Sequence, residues 1–114
     1  MPHAFGTTIV NDGSWFIAND YGTSCHSGNW KQKWMQHSGR QWPHTCATYG
    51  CGNAPALGGH ISIKGLKTTY IVPICSSCNN GGGLLPNYTG RAWARANVGT
   101  LGVSAGAVDY CSWA

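Results

Sequence analysis

The sequence predicts a small α+β domain built around four cysteines, and three observations carry that expectation. Cys46-Ala-Thr-Tyr-Gly-Cys51 is a C-x4-C pair and Cys75-Ser-Ser-Cys78 a C-x2-C pair. The stretch between them alternates about Lys64-Gly65-Leu66-Lys67, the pattern of a β-hairpin. A tryptophan-bearing segment with helical spacing precedes the first pair. At 114 residues the chain is read as a single domain, 1–114, with one modest core.

Each element has a local reason. Residues 7–10 (Thr-Thr-Ile-Val) and 14–18 (Ser-Trp-Phe-Ile-Ala) flank Asn11-Asp12-Gly13. β-Branched and aromatic runs about such a turn predict an N-terminal β-hairpin. From Ser27 to Gly39 the chain predicts a helix. Ser27 serves as its N-cap, Trp30 and Trp34 share one face, and Gly39 stops it. Lys31, Gln32 and Lys33 then lie towards water. Strands are expected near His60–Lys64 and Thr68–Val72, paired as a hairpin. After Cys78, Asn79-Asn80-Gly81-Gly82-Gly83 breaks regular structure, because three glycines are costly to order. Arg91 to Ala96 predicts a short helix, and 99–108 is small and Gly/Ala-rich.

Charge is scarce: seven Lys and Arg, three Asp (Asp12, Asp20, Asp109) and no Glu, for a net charge of +4. That excess permits contact with nucleic acid or an acidic surface. The cations fall into three loose groups: Lys31, Lys33 and Arg40; Lys64 and Lys67; Arg91 and Arg95. A few solubilising charges on a neutral surface account for them equally well. No apolar run reaches the roughly 18 residues of a membrane span. Met-Pro-His-Ala-Phe-Gly has neither a basic flank nor an apolar stretch, so no signal peptide is expected in this chain. Both a cytoplasmic protein and a secreted mature form are compatible with that.

Six tryptophans and seventeen glycines give the chain the character of a secreted or surface-exposed module. Trp15, Trp30, Trp34, Trp42, Trp93 and Trp113 could stack on a glycan or drive self-association; packing groups in the core are the plainer reading. Asn87-Tyr88-Thr89 matches an N-glycosylation acceptor.

The cysteine spacing carries the clearest chemistry. Two short loops that each present two thiolates satisfy tetrahedral Zn2+, so Cys46, Cys51, Cys75 and Cys78 are the expected ligands of a structural zinc. Cys25 and Cys111 remain. With zinc on the other four they suit a disulfide in an oxidising compartment, worth about 2–4 kcal/mol. Without zinc, the six cysteines leave the disulfide connectivity open.

Knuckle, hairpin and second cysteine pair, in that order, resemble a treble-clef zinc finger. Gly58-Gly59-His60-Ile61, followed by Ile71-Val72-Pro73-Ile74-Cys75-x-x-Cys78-Asn79, is similar to the ββα-metal core of the His-Asn-His (HNH) family, especially its small bacterial and phage members. The likeness covers about residues 29–80. It implies a ββα-metal-like core in which His60 acts as general base on a water attacking phosphorus, and Asn79 or Asn80 fills the last motif position. It also implies a second divalent metal, distinct from the zinc, that stabilises the developing charge. Gly59 stands where the family has an Asp or His for that metal, and no aspartate lies between Asp20 and Asp109. The alternative for His60 is a structural histidine that satisfies a backbone carbonyl or replaces a zinc ligand. His26, His37 and His44 are expected at the surface.

Two functions follow. The first is a zinc-stabilised HNH-like module that binds nucleic acid, with Arg40, Lys64, Lys67, Arg91 and Arg95 on phosphates, and cleaves only with the second metal. The second is a secreted module on the same zinc or disulfide scaffold that binds a glycan or assembles with itself.

Overall fold

The computed structural model describes residues 6–19, 30–79 and 93–106. Strands β1 (Thr8–Val10), β2 (Phe16–Asn19), β3 (Leu57–Ile63), β4 (Thr69–Ile74), β5 (Ala94–Arg95) and β6 (Leu101–Gly106) accompany helices α1 (Trp30–Ser38) and α2 (Ser76–Asn79). The strands make one sheet in the order β1-β6-β4-β3-β2-β5, and every pairing is antiparallel. The architecture is thus mixed, a sheet-dominated domain with two helices.

The period-2 alternation of strands sorts two clusters onto the two faces of this sheet. Ile61 and Ile63 of β3 join Tyr70, Val72 and Ile74 of β4, with Trp15, Ile17 and the cysteines, on one face. Ile71 of β4 and Leu101, Val103 and Ala105 of β6 meet Trp30 and Trp34 of α1 on the other. The helix buries both tryptophans, as their four-residue spacing predicts, and leaves Lys31 and Gln32 exposed. It ends as expected: Gly39 adopts φ 70° and donates its N–H to Met35 O at 2.9 Å. The expected Ser27 cap lies outside the described residues.

Two adjacent glycines let both helices reach β3. A Cβ on Gly58 would stand 2.8 Å from the backbone carbon of Trp30, and one on Gly59 would strike the Asn79 side chain. The β3–β4 hairpin turns at Lys64-Gly65, with Gly65 at φ 92° and Leu66 N–H bonded to Ile63 O. β3 starts three residues before the expected His60 and ends one short of Lys64, while β4 starts one after Thr68 and ends two beyond Val72.

Three expectations about the remaining strands need correction. The runs about Asn11-Asp12-Gly13 are strands but not a hairpin, since β1 pairs with β6 while β2 pairs with β3 and β5. The reason is Asn11. Its Oδ1 accepts Gly13 N–H (2.8 Å) and Trp15 N–H (3.1 Å), and its Nδ2 donates to Ala96 O (3.2 Å) and Asn97 O (2.8 Å). These bonds fold the connection onto 96–97 instead of back on itself. Ala94 and Arg95, expected to be helical, form the edge strand β5 against Phe16 and Ile17. Residues 101–106, from which sequence reading drew no element, form β6 between β1 and β4. Gly102 is small because Tyr70 and the Trp15 ring cover it, 3.3 and 3.4 Å from where a Cβ would lie.

Among the described residues no helix is long and apolar enough to cross a membrane.

Candidate metal centre

The two cysteine pairs reach one point from two different supports. The first sits in a loop whose last turn, Thr48-Tyr49-Gly50-Cys51, closes with Cys51 N–H on Thr48 O at 3.1 Å and Gly50 at φ 81°. Neighbouring backbone fixes this loop on both sides. Ala47 donates to Pro73 O of β4 and accepts from Asn97 N–H, each at 2.8 Å, while Tyr49 N–H bonds Arg95 O at 2.8 Å. Asn97 Nδ2 holds Cys46 O at 2.9 Å. The second pair follows β4 directly: Cys75 precedes α2 and Cys78 lies within it. Asn19 of β2 anchors that helix by donating Nδ2–H to Cys78 O at 2.9 Å.

The four Sγ atoms all lie within 4.8 Å of one another. Sulfurs bound at about 2.3 Å to one tetrahedral ion stand about 3.8 Å apart. Cys51 and Cys75 are 3.8 Å apart, and Cys51 and Cys78 are 3.9 Å apart. A disulfide requires about 2.05 Å, so these are thiols and not bridges. Backbone N–H groups also point at sulfur: Cys75 N–H at Cys46 Sγ (3.3 Å) and Cys78 N–H at Cys75 Sγ (3.5 Å). Asn53 Nδ2 adds a third donor to Cys75 Sγ at 3.8 Å.

The electrostatics of the four thiols favour a cation among them. Burial pushes the Cys46 thiol up, and pushes Cys78 up to about 12, reinforced by the neighbouring sulfurs. At Cys75 burial also acts upwards, but the Cys78 and Asn53 donors outweigh it and hold the thiol at about 7. The buried Thr48 hydroxyl meets no nitrogen or oxygen partner among the described residues, and it favours the thiolates of Cys46 and Cys78. Packed sulfurs resist charging together unless a cation joins them. Number, spacing and donors all fit a thiophilic divalent ion such as Zn2+.

The other candidates are placed differently. His60 lies on the α1 face of β3, with its ring edge-on to Trp30 at 4.6 Å between centroids. Asn79 packs at Gly59, on the opposite face of the same strand. The structure therefore does not bring His60 and Asn79 together. Position 59 also has no room for the acidic or imidazole ligand that a second metal needs, because Asn79 and Ile74 fill it. Asp12 is the only carboxylate side chain among the described residues, and it caps Ser14 in the β1–β2 connection. Among the described residues, no carboxylate or imidazole stands at position 59 to hold a second divalent metal.

Trp15, Trp30 and Trp34 are buried, which corrects their inclusion among glycan-stacking candidates. Trp42 is half-buried against Trp34 and donates Nε1–H to Pro55 O at 2.9 Å. Of the cations, Lys31 lies over the Trp42 ring at 5.2 Å, and Arg40 lines a cleft of about 220 Å³ with Pro43, Pro73 and Val98. Cys25, Cys111, His26, Asn80, Asn87, Arg91 and Trp113 lie outside the described residues. Sequence reading missed Thr48, Asn53, Asn97 and Asn19, the groups that orient the sulfurs. Only Asn53 gave a signal, as an amide two residues past Cys51 in a ligand loop.

Comparison of the chain with protein-family models, with curated proteins and with solved structures finds no match.

Proposed function

We propose that the chain is a zinc-stabilised, HNH-like treble-clef module that binds nucleic acid and does not cut it. One observation carries the metal: four sulfurs within 4.8 Å of one another, two from a knuckle and two from the start of a helix, with a β-hairpin between. That order of parts is the treble-clef order. Zn2+ would be held by Cys46, Cys51, Cys75 and Cys78, where it neutralises packed thiolates and ties the loop at 46–51 to the end of the central hairpin. No position in this closed four-sulfur set is left for a reacting water, so its role is structural.

Binding without cleavage rests on placement. His60 is engaged with Trp30 behind the sheet, away from Asn79. Exposed Lys31, Arg40, Lys64, Lys67 and Arg95 face a single aspartate among the described residues, a balance that favours a polyanion.

Native and denaturing mass measurement of the purified chain tests the metal, with one Zn2+ per chain expected. Four protected thiols, released together by a chelator, should accompany it. Three disulfides and no metal would overturn the module. Oligonucleotide affinity that falls steeply with salt is expected, and binding indifferent to salt would remove the nucleic-acid part.

A further inference from the structure

Four exposed side chains form one row across an end of the sheet. Phe16 of β2 pairs directly with Arg95 of β5, so their side chains share a face. The Ile17–Ile63 pairing, with Lys64 N–H on Phe16 O at 2.8 Å, sets Lys64 on the other side of Phe16. Tyr49 N–H on Arg95 O, beside the Thr48–Ala96 bridge, sets Tyr49 beyond Arg95. The order is Lys64, Phe16, Arg95, Tyr49. With strands about 4.8 Å apart, the row spans roughly 14 Å.

The row alternates cation and aromatic ring. Phe16 is 44% exposed and Tyr49 59%. They are the two aromatics among the large hydrophobic side chains exposed in the described residues. Arg95 lies over the Tyr49 ring at 5.2 Å, which orders both groups. Their sequence neighbours Ile17, Ile63, Thr48 and Ala96 are buried, so the row stands on a rigid base.

We propose that Lys64, Phe16, Arg95 and Tyr49 are a stacking platform for single-stranded nucleic acid; the proposal deepens the nucleic-acid reading above and rests on it. Unpaired bases offer flat faces to Phe16 and Tyr49, while the phosphates between them meet Lys64 and Arg95. A duplex keeps its bases stacked on each other and can use only the cations. A neutral glycan would use the rings and leave both cations idle.

The test is fluorescence anisotropy of a labelled oligo-dT of about 15 nucleotides on the zinc-loaded chain, against a duplex of equal length. Phe16→Ala and Tyr49→Ala should each weaken single-strand binding about tenfold and leave duplex binding unchanged. Lys64→Ala and Arg95→Ala should each lower the salt slope by about 0.7. Tyr49→Trp should bind at least as well as the parent, and Val10→Ala, exposed on β1 at the opposite edge of the sheet, should bind like it. Equal affinity for single strand and duplex, or aromatic variants that bind like the parent, overturns the platform. Phe16 lies on β2, outside the thiol loop, so Phe16→Ala decides the matter if Tyr49→Ala unfolds. A zinc-loaded chain whose salt-sensitive binding ignores both rings sinks the platform and spares the module. A chain without zinc that binds through the rings does the reverse.

Discussion

Asn79 stands against the bare α-carbon of Gly59, at the point where a first side-chain atom would collide with its amide oxygen. Cys78 is the residue before Asn79 and Ile61 lies two residues beyond Gly59, so this contact joins the cysteine-bearing helix α2 to the central strand. A glycine is required here by space and not by backbone angle. The same absence of a side chain that lets α2 approach leaves neither a carboxylate nor an imidazole at this position.

Gly59→Ala is therefore expected to lower stability by about 1–3 kcal/mol, as an overpacked core position does. Because Asn79 must shift with α2, it should also raise the zinc dissociation constant. Gly58→Ala meets the backbone of Trp30 and Lys31 instead, on the opposite face. It should destabilise at least as much without altering zinc affinity. Urea unfolding of both variants, with a competitive chelator titration, separates the two effects.

Removing the metal should undo the fold and not merely loosen a loop. The knuckle is bonded to β4 and to residues 95–97, so its release exposes backbone groups on both sides. Binding of structural zinc is worth about 10–16 kcal/mol in small zinc-finger peptides, as large as the whole stability of a typical domain. Cys46→Ser or Cys78→Ser is expected to lose the near-ultraviolet signal of the buried tryptophans, and chelation of the parent should do the same. Native-like circular dichroism after complete chelation would show that the sheet stands without the ion.

Trp34 places its indole N–H on Leu101 O at 2.9 Å, across the junction of α1 and β6. Trp34→Phe keeps most of the ring packing and deletes that donor, leaving a buried carbonyl unpaired. A loss of about 1–3 kcal/mol is expected, with the unfolding slope unchanged.

What the sequence made legible was local. The C-x4-C and C-x2-C pairs, the Trp30/Trp34 face and the turn at Gly65 each depend on residues a few positions apart, and each lies where spacing places it. Strand pairing over long separations was not legible. Nothing near Asn11 reveals that its side chain bonds to Ala96 and Asn97, so the Asn-Asp-Gly run imitates a hairpin turn. Residues 101–106 hide as a strand because Trp15 and Tyr70 supply the bulk that Gly102 and Ser104 lack. The opposite placement of His60 and Asn79 follows from the register of β3 against β4, which a motif match does not contain.

The Asn11 network gives a pH-dependent test of that long-range connection. Asn11 is 1% exposed and uses both ends of its amide, donating to two carbonyls and accepting from two backbone N–H groups. Asn11→Asp keeps the shape but turns the donor end into an oxygen facing Ala96 O and Asn97 O. When protonated, that oxygen can donate to one carbonyl; when ionised, it is repelled by both. Its pKa in the folded state should therefore rise above the ordinary value of about 3.9. A folded pKa above the unfolded one means that the variant is closest to parental stability below about pH 4 and loses ground as pH rises through the folded pKa. Asn11→Ala leaves all four backbone groups without that partner and should cost about 1–3 kcal/mol or more at every pH. Urea unfolding of the parent and both variants from pH 4 to 8 checks this, and a pH-independent gap between Asn11→Asp and the parent would refute it.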